Sequence, residues 1–98
     1  MNNYKNEVDY KVGRPFLIFV LEKVNSLPCV GERELVAKEK DKYVSIQLEA
    51  DENSITIKEQ NGLKIAILKT KAPSTPNLKI ELANEIKSLL NDPRSQSP

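Results

Sequence analysis

Apolar and polar residues alternate strictly along residues 43–50, YVSIQLEA. Val44, Ile46, Leu48 and Ala50 fall on one side, and Tyr43, Ser45, Gln47 and Glu49 on the other. Period-two spacing marks a strand with one buried face. Asp51-Glu52-Asn53 is turn chemistry. Residues 54–60, SITIKEQ, alternate again, with Ile55 and Ile57 inward. Asn61-Gly62 follows, the pair that a two-residue type I′ hairpin turn requires at its two positive-φ positions. Residues 63–70, LKIAILKT, form the next strand, with Leu63, Ile65 and Ile67 inward by the same rule. Residues 33–40, RELVAKEK, are a weaker strand ahead of these. Strands joined by short turns predict an antiparallel meander.

The spacing changes at both ends. Over residues 14–27 apolar side chains fall at Phe16, Val20, Leu21, Val24 and Leu27, one face of a helix, with Pro15 suited to its first position and Pro28 to its stop. The continuous run FLIFVL also fits a buried strand; the helix is favoured because its face persists through Leu27. Residues 28–32, PCVGE, are a loop, and 71–77, KAPSTPN, a proline-punctuated connector. A second helix begins with Thr75 as cap and Pro76 as first residue. Its stripe is Leu78, Leu82, Ala83, Ile86, Leu89 and Leu90, and Asn91-Asp92-Pro93 ends it. Residues 1–13 carry no periodicity and read as a flexible arm. Residues 92–98 read as a frayed tail.

The expected fold is α+β: an antiparallel meander of about four strands, with one apolar face covered by the C-terminal helix and an N-terminal one. If residues 14–27 are a strand, five or more strands approach a small barrel capped by the C-terminal helix. A single domain spans residues 14–91. Its core should include Ile46, Leu48, Ile55, Ile57, Ile65, Ile67, Leu82, Ile86 and Leu89. The length of 98 residues leaves no room for a second domain.

Charge is nearly balanced, 15 basic against 14 acidic residues, so no global field draws the chain to nucleic acid or an anionic membrane. The polar opening MNNYKNEVDYK reads as no signal or transit peptide, and the apolar run Phe16 to Leu21 is too short to span a bilayer. The expectation is a cytoplasmic protein.

Little in the chain suggests catalysis. It has no histidine, the commonest general base and transition-metal ligand. Gly13, Gly31 and Gly62 are too far apart for a phosphate-binding loop. Cys29, the single cysteine, has Glu32 and Glu34 nearby and no basic activator, so it reads as a small apolar residue at the core's edge. Glu32, Glu34 and Glu39 are interleaved with Arg33, Lys38, Lys40 and Lys42, which describes a solvated surface rather than an acid–base pair. Asp51-Glu52-Asn53 is too short for a calcium loop. No enzyme, cofactor or metal is expected, and a carboxylate-based enzyme ranks last among the readings.

Two surface features remain. Lys58, Lys64, Lys69 and Lys71 cluster in and beside a stretch without acidic residues, with Lys58 and Lys64 expected on one outer face across the hairpin. They are candidate contacts for phosphate or another anion. Guarding an edge strand against aggregation is the plainer role, because nucleic-acid-binding sheets usually display aromatics and only Tyr43 is expected there. Second, Ala66 and Leu68 break the alternation and should join Tyr43 and Val36 on the outer face. That makes a sparse apolar patch, suited to a protein partner or to cover by the arm through Tyr4, Val8 and Tyr10. The sequence thus favours a non-catalytic binding or assembly module. It would act through its sheet face or edge on another protein or itself, as a homodimer in one version. The alternative is a weak nucleic-acid or anion binder using the lysines.

Overall fold

A computed structural model describes residues 4–28, 34–48, 50–71 and 76–96. Cys29, Glu32, Arg33, Glu49 and the Thr75 cap lie outside these residues. The chain is α+β. Five strands, β1 (Lys5–Val8), β2 (Glu34–Glu39), β3 (Lys42–Leu48), β4 (Ser54–Gln60) and β5 (Leu63–Thr70), form one open sheet in the order β1-β4-β5-β3-β2. Two helices, α1 (Gly13–Asn25) and α2 (Pro76–Asn91), share one hydrophobic core with one face of that sheet.

The expected meander is corrected to a mixed sheet. β2–β3 and β4–β5 are antiparallel hairpins, but β5 inserts between β4 and β3 and runs parallel to β3. The five residues between β3 and β4 step across the end of β5. β5 is the central strand, and its run LKIAIL is nearly continuous in apolar residues. The barrel version is not seen. The fifth strand is β1, not residues 14–27, and the sheet ends at two edges.

Residues 14–27 resolve in favour of the helix. Phe16, Leu17, Phe19, Val20 and Val24 are buried on its inner side. Pro15 is the third residue of α1 rather than the first, still within the turn where a backbone N–H has no intrahelical acceptor to lose. The Lys23 and Lys42 ammonium groups lie 4.9 and 5.2 Å from the centre of the Phe19 ring, so the ring is bordered by charge at the core's rim. In α2 the expected stripe is the observed one: Leu78, Leu82, Ala83, Ile86, Leu89 and Leu90 are all buried.

The N-terminal arm is corrected as well. Lys5–Val8 pair with β4 in parallel, with Lys5 beside Ser54 and Val8 beside Ile57. The Asp9 N–H donates to the Ile57 carbonyl at 2.7 Å, and a 3-10 turn, Tyr10–Val12, leads into α1 with Val12 buried. Three of the four β1 residues are exposed. Backbone bonding therefore holds this strand, and its side chains show no period. Tyr4 packs on the core, where burial, against a smaller opposing pull from Thr70, raises its hydroxyl above the ordinary tyrosine value.

The C-terminal tail is likewise ordered to Gln96. Pro93–Gln96 form a 3-10 turn in which Ser95 is buried, its Oγ donating to the carbonyls of Asp92 (2.8 Å) and Leu90 (3.0 Å). Arg14 from α1 donates to the same Leu90 carbonyl at 2.6 Å, placing a cation at the negative end of α2. Arg94 donates twice to the Asp92 carboxylate and lies over the Tyr10 ring, 4.3 Å from its centre. Tyr10, ahead of α1, is thus joined to the turn that follows α2.

The largest correction concerns β5. Ile65 and Ile67, expected inside, are half-buried, whereas Ala66 and Leu68 are fully buried. The two-residue Asn61-Gly62 turn explains this. Asn61 (φ 52°) and Gly62 (φ 84°) both take the positive φ of the type I′ turn, and the turn pairs Gln60 with Leu63. Counting outward, Ile57 meets Ala66 and Ile55 meets Leu68. With Ile55 and Ile57 inside, the even residues of β5 must be inside too.

Candidate functional site

The helices occupy one side of the sheet. Among the described residues none covers the other. That open face carries Thr56 and Lys58 of β4, Leu63, Ile65, Ile67 and Lys69 of β5, Tyr43, Ser45 and Gln47 of β3, and Val36 and Lys38 of β2.

At its centre, Ile67 lies between Thr56 and Ser45, and Ser45 between Ile67 and Val36. Ser45 is only 2% exposed although it points away from the helices, so its larger neighbours close over it. Its Oγ accepts from Gln47 Nε2 at 3.2 Å. One row further along, Ile65 lies between Lys58 and Tyr43. Val36, at the β2 edge, is 51% exposed. The result is an apolar band of Ile65, Ile67, Tyr43 and Val36, bordered by Lys38, Lys58 and Lys69.

Of the four partner-binding residues read from the sequence, Tyr43 and Val36 belong to this band. Ala66 and Leu68 do not. Both are 0% exposed and belong to the core, so they cannot contact a partner without unfolding the sheet. Ile65 and Ile67 take their place. The signal that identifies them was available in the two-residue turn, whose pairing rule links the phase of β5 to that of β4.

The lysines do not form one cluster. Lys58 and Lys69 share the open face but sit beside Ile65 and Ser54 respectively, four residues apart along β5, about 13 Å. Lys64 is turned to the helix side, opposite Glu59 and beside Lys42, so the expected Lys58–Lys64 pairing on one face is corrected. The Asn61-Gly62 turn again sets this, since it pairs Lys58 with Ile65. Lys71 is exposed just beyond β5, its N–H bound by the Asn53 side chain at 3.0 Å. Lys69 borders a cleft of about 390 Å³ at the β3–β4 connection, but Asp51 and Glu52 line the same cleft. Their carboxylates oppose an anion there.

No three of His, Cys, Asp and Glu come together among the described residues. No helix formed by them is long and apolar enough to cross a membrane. Fold and surface define an α+β protein of two layers, helices on one face of a five-stranded mixed sheet and the other face open among the described residues. The chain matches no protein-family model, no curated protein and no solved structure with which it was compared.

Proposed function

We propose that the chain is a non-catalytic assembly module that works through its sheet, with a second copy of itself as the partner. The observation that carries this is one-sided covering. Both helices lie on one face, and the other leaves Val36 half-exposed beside a band of Tyr43, Ile65 and Ile67. An uncovered sheet with open edges is a template for association. Isologous pairing of like surfaces is the commonest way for a small chain to use one. The lysine reading has less support. Lys58, Lys64, Lys69 and Lys71 are spread over two faces and a strand end, and no aromatic row accompanies them.

Sedimentation equilibrium tests the proposal. The expected result is a concentration-dependent rise from the 11.1 kDa of one chain to twice that mass. A single 11.1 kDa species at concentrations up to about 1 mM overturns it, because weaker association is worth less than about 4 kcal/mol.

A further inference from the structure

The sheet has two edges. β1 is four residues long and pairs with β4; β2 is six residues long and carries the half-exposed Val36. Residues flanking a two-residue loop form a hydrogen-bonding pair across it. Glu39 and Lys42 flank the Lys40-Asp41 loop and pair directly. By alternation, Leu35, Ala37 and Glu39 turn their backbone N–H and C=O toward β3. Glu34, Val36 and Lys38 turn theirs to the open edge.

That phase restricts how a second β2 can add in antiparallel fashion. The two-fold axis must pass through a residue: an edge-facing centre lies in a hydrogen-bonded pair and an inward-facing centre in a non-hydrogen-bonded pair, and either sets edge-facing residues against one another. An axis between residues would pair an edge-facing residue with an inward-facing one and make no ladder. From Glu34 to Lys38 five centres remain. On Leu35, the axis sets Glu34 against Val36. On Ala37, it sets Glu34 against Lys40 but Val36 against Lys38 and Leu35 against Glu39. On Glu34, the axis sets carboxylate against carboxylate. On Lys38, it sets ammonium against ammonium and Val36 against Lys40. On Val36, it sets Val36 against Val36, Leu35 against Ala37, and Glu34 against Lys38 twice over. Only the Val36 centre sets opposite charges together while keeping apolar residues opposite apolar ones, the self-complementarity that an isologous strand pair requires.

From this complementarity we infer that two chains pair through antiparallel β2 strands centred on Val36. This rests on the assembly reading above and specifies its edge and register. The axis is perpendicular to the sheet, so both helix layers lie on one side. The two open faces merge into one surface with Val36 and its symmetry mate at the seam, and the bands of Tyr43, Ile65 and Ile67 extend to either side.

Two variants test the register by equilibrium sedimentation, with circular dichroism to confirm the fold. Lys38→Glu places carboxylates opposite each other twice and should weaken dimerisation by about tenfold or more. Adding Glu34→Lys restores complementarity and should return the dissociation constant to within about threefold of the original. In a Cys29→Ser chain, Val36→Cys should form a disulfide-linked dimer with oxidised glutathione. The paired Cα atoms would be about 5.5 Å apart, inside disulfide range. Lys58→Cys, on the open face, should not. A dimer indifferent to Lys38→Glu, a double variant that stays dissociated, or no Val36→Cys cross-link overturns the β2 register and leaves the assembly reading standing. A wild-type chain that never dimerises removes both.

Discussion

Ile57 stands directly opposite Ala66 in the β4–β5 ladder, and both are buried against the helices. This pairing decides which side of β5 is core and which is surface. Ile57→Ala should therefore cost about 2–5 kcal/mol, as expected when a large side chain leaves a filled core. Ile67→Ala, on the half-buried open face, should cost less than half as much. Urea denaturation of the two variants gives the comparison. Equal losses would mean that the two faces of β5 are equally packed.

Arg14 ties the start of one helix to the end of the other. Its guanidinium donates to the Leu90 carbonyl at 2.6 Å, where an α-helix has acceptors to spare. Arg14→Ala should cost about 1–2 kcal/mol through the lost charge-assisted hydrogen bond and the lost cation at the helix end. Arg14→Met separates these from lost packing, since it keeps much of the apolar stem. If Arg14→Met is as stable as the parent, the bond contributes nothing.

Asp92 supplies an acid-sensitive contact. The Arg94 guanidinium and backbone N–H, with the Tyr10 hydroxyl, hold its carboxyl well below the usual carboxylate range. The folded value is thus lower than the unfolded one. The stabilisation is fully present above about pH 4 and is lost as pH falls through the depressed folded value. Asp92→Asn should be less stable than the parent at pH 7 and should show a flatter decline in acid. The measurement is the urea midpoint from neutral pH down to about pH 2, a range in which the unfolded chain's carboxylate takes up its proton while the folded one resists it. Parallel curves for parent and variant would show that this exposed pair is stability-neutral, as many are.

The open face shows how far local pattern reaches. Strict alternation in YVSIQLEA and SITIKEQ identified Val44, Ile46, Ile55 and Ile57 as core, and the helical stripe identified all six buried apolar positions of α2. In LKIAILKT the near-continuous apolar run hid the phase. Both faces of β5 carry isoleucine, leucine or alanine, so composition alone cannot choose between them. The choice was nevertheless encoded, at Asn61-Gly62. A two-residue loop makes partners of residues of opposite parity, so odd positions inside on β4 require even positions inside on β5.

β1 is different. Lys5, Asn6 and Glu7 are polar and exposed, and the strand is held by backbone groups against β4. Backbone hydrogen bonds are available to any residue except proline, so a polar edge strand leaves no periodic mark. The 3-10 turn after α2 depends in the same way on Ser95, a buried polar residue whose partners are backbone carbonyls.

What the sequence by itself determined is local. Period two and period 3.6 set the β3 to β5 strands and both helices, the glycine hairpin set the β4–β5 register, and the absence of histidine narrowed the chemistry. Only the tertiary structure decided the order of the strands, the parallel pairing of β3 with β5, and the recruitment of β1. Those depend on contacts between residues far apart in the chain, made where two hairpins and two helices bury one common core. No short window of residues records that sum.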